Sequence, residues 1–80
     1  LRRREAHDAV HDAVAALPVE VRKAVELREI EGLSYREIAQ VLDLSGNEVK
    51  VLLHRGRKIL ARTLARTPVG REFGLGGGAR

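Results

Sequence analysis

The sequence of 80 residues contains no cysteine, no methionine and no tryptophan. Without cysteine the chain can form no disulfide and no cysteine-ligated metal site, so a domain this small must rely on helix packing. Because methionine is absent, we expect that residue 1 is not a native start and that the chain is part of a longer protein. The apolar runs are too short for a membrane span, and the sequence shows no signal peptide.

Aromatic residues are scarce, since Tyr35 and Phe73 are the only two. β-Branched residues do not alternate with polar ones, whereas apolar residues recur at helical intervals. The sequence therefore predicts an all-α, four-helix domain. We expect helices at about residues 2–16 and 19–31, a short third helix after Ser34, a fourth helix at about residues 46–65, and a mobile glycine-rich tail at 67–80.

The first two predicted helices each carry an apolar side. In the first helix this side consists of Ala6, Val10, Ala13, Val14 and Leu17, and in the second the candidates for burial are Val21, Ala24, Val25, Leu27 and Ile30. Pro18 separates the two helices. Gly32 fits the position just past the second helix, where glycine adopts a left-handed conformation most easily.

Two capping boxes mark the starts of the third and fourth helices. Ser34 is followed three residues later by Glu37, and Ser45 is followed at the same spacing by Glu48. Only residues 43–45 separate the two helices, and a turn this tight requires a steep crossing. The pattern predicts a helix-turn-helix, whose second helix enters the DNA major groove in proteins that bind DNA.

The fourth helix has an apolar side and a basic side. At 100° per residue, Val49, Leu53, Gly56 and Leu60 lie within about 60° of one another and form the predicted buried stripe. Gly56 on this stripe predicts the close approach of another helix. The opposite side carries Val51, which can contact a thymine methyl group or a protein surface. Around it lie residues that can donate hydrogen bonds to phosphates or base edges: Asn47, Lys50, His54, Arg55, Arg57 and Lys58.

The charge balance also favours an anionic partner. Fifteen basic residues against 11 acidic ones give a net charge of +4 and a pI near 10.3. Most of the positive excess lies after residue 49, within and beyond the fourth helix. An ordinary amphipathic helix with a solvated basic side would have the same composition, but it would not explain the tight turn and the two capping boxes.

The segment "ALPVEVRKAVELREIEGLSYREIAQVLDLSGNEVKVLLHRGRKIL" resembles region 4 of bacterial RNA polymerase sigma factors of the extracytoplasmic-function type. The resemblance covers about residues 16–62. It implies that residues 18–66 form the region 4 domain, preceded at 1–17 by an N-terminal helix or linker. It further implies recognition of the promoter −35 element, docking on the β flap of core RNA polymerase, control by an anti-sigma factor, and a cytoplasmic location.

The resemblance assigns roles to individual positions. Ser34, Tyr35 and Arg36 match the start of the supporting helix, which lies against the DNA backbone in this family. The basic positions of the recognition helix are matched by Lys50, His54, Arg55 and Arg57, and its core positions by Val49 and Leu53.

The sequence departs from the family pattern around "VK". The family usually has Gly-Thr before these two residues and Ser-Arg-Leu after them, where this chain has Asn47-Glu48 and Val51-Leu52-Leu53. Leu52 thus replaces an arginine that commonly contacts DNA, and such an arginine contributes about 1–3 kcal/mol of base discrimination. The changes indicate an unusual promoter, weak DNA binding, or a surface at Val51 and Leu52 that binds a protein partner instead.

Several alternatives remain at this point. The repeat "HDAVHDAV" places His7 and His11 on one helical side with Asp8 and Asp12 beside them, but a solvated helix explains it without a metal. We expect no cofactor and no enzymatic activity, because the chain has no phosphate-binding loop and no catalytic set. The rival functions are a response-regulator-type output domain and a protein-interaction module.

Overall fold

Four helices make up the part of the chain that the computed structural model describes, residues 3–66. They are α1 (Arg3–Ala15), α2 (Val19–Glu29), α3 (Tyr35–Leu42) and α4 (Gly46–Ala65). No strand occurs between residues 3 and 66, which agrees with the predicted all-α fold. The predicted tail at 67–80 lies outside the described residues. Over the described range, no helix is long and apolar enough to cross a membrane.

Pro18 connects α1 to α2. Its backbone is extended, with φ −52° and ψ 144°, and its carbonyl accepts a hydrogen bond from the Arg22 N–H at 2.8 Å, which begins α2. Proline suits this position because its ring restricts φ and prevents α1 from continuing. Leu17 and Ala13 are buried beside this junction. The end of α1 therefore packs on the rest of the domain.

The loop between α2 and α3 turns sharply at Gly32, whose φ is +74°. The left-handed conformation predicted for this glycine is therefore confirmed, although α2 ends at Glu29, two residues before the predicted end. The N–H of Leu33 then donates to the Leu27 carbonyl at 3.0 Å. This bond folds the loop back against the last turn of α2.

The turn between α3 and α4 consists of residues 43–45, as predicted. Asp43 has a left-handed backbone, with φ 57° and ψ 50°, and its N–H donates to the Ala39 carbonyl. The Leu44 N–H donates to the same carbonyl at 2.9 Å, so the last turn of α3 closes in a left-handed cap. Ser45 then caps α4. The helix-turn-helix prediction is confirmed.

The core lies between α2, α3 and α4, with the end of α1 at its edge. Ile38, Val49 and Leu53 are its largest fully buried side chains. The complete cluster of buried residues is Leu17, Val21, Ala24, Val25, Ile38, Val49 and Leu53. Gly56 is also buried, and the predicted close approach occurs there, because α4 faces the side chains of Val21 and Val25 at this glycine.

Two residues on the predicted apolar sides of α1 and α2 are exposed. Ile30 is 68% exposed, because α2 ends at Glu29 and Ile30 projects beyond the region that α4 covers. Val10 is 42% exposed, since it borders an open groove between α1 and the other helices. The predicted burial of Ile30 was wrong, and both residues lie at the rim of that groove.

Candidate nucleic-acid interface

The side of α4 that points away from the core is polar and accessible. Val49 and Leu53 are buried, and Leu52 is half-buried against the core. Val51 is 53% exposed, so the three consecutive apolar residues 51–53 have three different environments. Every α4 residue proposed above to contact DNA is exposed: Asn47, Lys50, Val51, His54, Arg55, Arg57 and Lys58.

The start of α4 is held by the predicted capping box. The Ser45 hydroxyl accepts from the Glu48 N–H at 3.1 Å, and the Ser45 N–H donates to Glu48 Oε1 at 2.8 Å. The Ser45 backbone N–H, and after it the Ser45 hydroxyl, lowers the pKa of the Glu48 carboxyl. Glu48 is thus a negative charge directed at the helix N-terminus, where the helix dipole favours it.

The start of α3 has the same arrangement. Ser34 and Glu37 exchange hydrogen bonds of 2.8 and 3.1 Å, and the pKa of the Glu37 carboxyl is lowered by the Ser34 backbone N–H and then by its hydroxyl. The N–H groups of Tyr35 and Arg36 have no acceptor among residues 3–66. A phosphate oxygen is a suitable acceptor for such N–H groups at a helix N-terminus.

A groove of about 540 Å³ runs beside the helix-turn-helix, and we call it the turn groove. Its apolar part consists of Leu42, Leu44, Val51 and Leu52, and its charged or polar part of Glu20, Lys23, Asn47, Glu48 and Arg55. Asn47, Val51 and Arg55 follow one another at four-residue intervals along α4 and share this side. Glu20 and Lys23 of α2 had no role in the prediction, because nothing in the local sequence places them beside α4.

A second groove, of about 810 Å³, lies on another side of α4, and we call it the α1 groove. It is mainly apolar and runs between α1, the second half of α2 and α4, with Val10 and Ile30 at its rim. Arg57 lines this groove, and its Nη2 lies 3.9 Å from Glu29 Oε2. Both side chains are more than half exposed, so the ion pair is weak. Arg57 is therefore placed apart from Asn47, Val51 and Arg55.

The histidine repeat of α1 borders the α1 groove. The rings of His7 and His11 stack with centroids 6.2 Å apart, and their Nδ1 atoms lie 3.7 and 3.9 Å from carboxylate oxygens of Asp8 and Asp12. Over residues 3–66, no three histidine or carboxylate side chains come together as a metal-binding group.

Arg28 of α2 is a residue that the sequence analysis missed. Its Nη1 donates to the Leu33 carbonyl at 2.9 Å, and its guanidinium carbon lies 5.1 Å from the centroid of the Tyr35 ring. No signal at this position in the sequence predicts either contact, because both depend on the path of the loop between α2 and α3.

The chain has relatives among bacterial proteins and matches one protein family. Residues 7–60 match the family model for sigma-70, region 4. The RNA polymerase sigma-H factor of Pseudomonas aeruginosa is 37% identical over 62 residues, which cover 78% of this chain and 32% of that protein. The ECF RNA polymerase sigma factor SigE of Mycolicibacterium smegmatis is 46% identical over 54 residues, which cover 68% of this chain and 21% of that protein.

A third relative is the ECF RNA polymerase sigma-E factor of Haemophilus influenzae, which is 37% identical over 51 residues. This chain spans a third or less of the length of all three relatives. Since the family model covers more than half of the chain and its boundaries include the helix-turn-helix, the chain belongs to the sigma-70 region 4 family, as the region 4 domain of an extracytoplasmic-function sigma factor.

Proposed function

We propose that this domain recognises the promoter −35 element, with α4 as the recognition helix in the major groove. The observation that supports this most directly is the exposed polar side of α4, which follows α3 after a turn of only three residues. In a helix-turn-helix this arrangement lets the second helix enter the groove while the first lies across the DNA backbone.

The exposed residues of α4 contact different parts of the DNA in this proposal. Lys50, Arg55 and Lys58 neutralise phosphates and release counterions, which makes the affinity depend steeply on salt. Asn47 and His54 offer hydrogen bonds to base edges. Val51 offers an apolar contact to a thymine methyl group. Arg57 lies at the edge of the interface, since it lines the α1 groove and has Glu29 nearby.

The start of α3 supplies the backbone contact in this proposal. Ser34, Tyr35 and Arg36 stand at a helix N-terminus whose N–H groups at Tyr35 and Arg36 have no acceptor among the described residues. A DNA phosphate there receives two backbone hydrogen bonds and the charge of the exposed Arg36 side chain.

We further propose that the α1 groove is the surface that docks on the β flap of core RNA polymerase. The support is the exposure of Val10 and Ile30 at the rim of a mainly apolar groove, on a side of α4 other than that of the turn groove. An apolar groove of this kind suits an apolar partner segment. DNA and polymerase would then bind separate surfaces of the domain.

A second candidate function is that of a module that binds an anti-sigma factor or another regulator. The observation in its favour is the turn groove, where the exposed Val51 is continuous with Leu42, Leu44 and Leu52. In both candidates the domain acts in the bacterial cytoplasm by non-covalent binding, without catalysis, a cofactor or a membrane.

The test of DNA recognition is a fluorescence anisotropy titration with promoter duplexes at several salt concentrations. Lys50→Ala with His54→Ala should weaken binding roughly tenfold or more, because one phosphate contact and one base contact are lost. Arg4→Ala is the matched control, since it removes one positive charge from an exposed position of α1. If the double variant binds as tightly as the parent, α4 does not read DNA through this side.

A further inference from the structure

Arg28 makes its two contacts with the segment that leads into α3. One is the hydrogen bond from Nη1 to the Leu33 carbonyl, and the other is the position of the guanidinium over the Tyr35 ring, within the range of a cation–π interaction. Within residues 3–66, no carboxylate lies at ion-pair distance from Arg28. Its charge is therefore directed at a carbonyl and an aromatic ring instead of an acidic partner.

Leu33 is held by α2 through both of its backbone groups. Its N–H donates to the Leu27 carbonyl at 3.0 Å, and its carbonyl accepts from the Arg28 side chain at 2.9 Å. Because both partners belong to the last turns of α2, the peptide just before Ser34 cannot rotate without breaking a hydrogen bond. Ser34 and Tyr35 follow directly, so the start of α3 takes its position from this anchor.

The Tyr35 contact extends the same restraint into α3. Tyr35 is the first residue of the helix, and its ring is half-buried under the Arg28 guanidinium. The residues held in this way carry the two N–H groups that have no acceptor, those of Tyr35 and Arg36. The strength of a hydrogen bond depends on its length and its angle. A small shift or rotation of these N–H groups therefore weakens a hydrogen bond to phosphate.

We propose that Arg28 is a positioning residue for DNA binding: it contacts no DNA itself and holds the N-terminus of α3 in the orientation that receives a backbone phosphate. This inference rests on the proposed DNA-binding function. The planar guanidinium is required because it donates to Leu33 with one edge while its face covers Tyr35. A lysine at this position provides a donor and a charge but no flat face.

The experiment uses the 80-residue chain, a short fluorescein-labelled DNA duplex of mixed sequence, and anisotropy titrations across a series of salt concentrations. A phosphate contact does not depend on the base sequence, so a mixed sequence is sufficient. The variants are Arg28→Met, which keeps the apolar stem, and Arg28→Lys. Arg22→Met is the matched control: Arg22 also lies on α2 and donates to a carbonyl, that of Ala15 at 3.4 Å, but it lies at the opposite end of the helix from α3.

A spectroscopic measurement accompanies the titrations. Tyr35 is the only tyrosine and the chain has no tryptophan, so tyrosine fluorescence reports on this one ring. Arg28→Met should change the emission of Tyr35, whereas Arg22→Met should leave it unchanged. Circular dichroism at the working temperature confirms that each variant is folded, which separates positioning from a general loss of stability.

The expected result is that Arg28→Met weakens duplex binding about three- to tenfold, the factor that accompanies the loss of one hydrogen bond, at an unchanged salt slope. Arg28→Lys should recover part of this affinity, and Arg22→Met should bind like the parent. A salt slope that falls by about one unit in Arg28→Met would show that Arg28 contacts a phosphate directly, which overturns positioning.

Three other outcomes also overturn the inference. If Arg28→Met changes the Tyr35 emission but binds DNA like the parent, the loop anchor has no role in DNA binding, while the proposed function stands. If Arg22→Met loses as much affinity as Arg28→Met, the effect is one of charge alone. If the parent shows no salt-dependent binding, the proposed function fails, and the role of Arg28 fails with it.

Discussion

Gly56 of α4 lies against Val25 of α2 so closely that a Cβ placed on the glycine would come within 2.7 Å of Val25 Cγ2. The same Cβ would lie 3.0 Å from Val21 Cγ1. Valine side chains have few rotamers on a helix, so neither methyl group moves away easily. The distance between the two helices that form most of the core therefore depends on the absence of a side chain at position 56.

Gly56→Ala should lower the free energy of unfolding by up to about 2 kcal/mol. Alanine raises helix propensity by roughly 1 kcal/mol over glycine, but overpacking of a tight core contact costs about 1–3 kcal/mol. We expect the steric cost to exceed the gain. Urea unfolding followed by circular dichroism measures the difference.

Gly46→Ala is the matched control for this prediction. Gly46 lies on the same helix, but a Cβ there meets no atom within 4 Å, so the substitution should not lower stability. Val25→Ala should offset part of the damage from Gly56→Ala, because it removes the methyl group that clashes. If the two substitutions change the free energy of unfolding additively, the predicted clash between positions 56 and 25 does not occur.

The two capping boxes should make stability depend on pH. Folding lowers the pKa of Glu37 and Glu48, so the charged carboxylates favour the folded chain. This stabilisation is complete above the ordinary glutamate pKa of about 4.3, and it is lost as the pH falls through the lowered pKa. The unfolded chain binds more protons in that range, so stability should rise with pH there.

Glu37→Gln with Glu48→Gln should reduce this slope. Glutamine keeps an oxygen that accepts from the serine N–H, so the boxes persist while their titration disappears. Thermal unfolding measured between about pH 3 and pH 7 gives the slope. Each single variant should show part of the reduction. A double variant that keeps the full slope of the parent would mean that other groups cause it.

Val51→Ser with Leu52→Arg should strengthen DNA binding and weaken binding of a regulator at the turn groove. Val51 is exposed, and the long stem of arginine at position 52 can cover the half-buried site while its guanidinium reaches solvent. One arginine–guanine contact corresponds to roughly 5- to 150-fold between a duplex with the right base and one with the wrong base. Anisotropy titrations of parent and variant on the same duplexes measure this change.

Two other outcomes of these titrations distinguish between the candidate functions. If the parent binds duplex tightly and the variant does not, Val51 and Leu52 belong to the reading surface as they stand, and the promoter differs from the usual one. If only the variant binds, the interaction-module function becomes the better proposal.

Ile30→Glu should weaken binding to the isolated β-flap domain of RNA polymerase and leave DNA binding unchanged. Ile30 is 68% exposed at the rim of the α1 groove, so the substitution costs little stability but places a charge against an apolar partner. Val19→Glu is the matched control, because Val19 is a 51% exposed apolar residue at the start of α2 that lines neither groove. Calorimetry measures the affinity of each variant for the flap domain. If both variants lose the same affinity, the flap binds a surface other than the α1 groove.

Features encoded within a few residues of one another were predictable from the sequence. The capping boxes at Ser34 and Ser45, the left-handed Gly32 and the three-residue turn all depend on contacts between neighbours in the chain. The exposed side of α4 followed from helical periodicity, since Val49 and Leu53 fix which side is buried. These local features were sufficient for the all-α fold and the helix-turn-helix.

The tertiary structure decided what depends on how the helices cross. Ile30 follows the apolar spacing of α2, but it is exposed because the helix ends before it. The partner of Gly56, the two grooves and the ion pair of Arg57 with Glu29 all join segments that are distant in the chain. Arg28 meets Tyr35 because the loop turns back at Gly32. Periodicity specifies the side of a helix on which a residue lies, whereas helix ends and loop paths determine what that residue contacts.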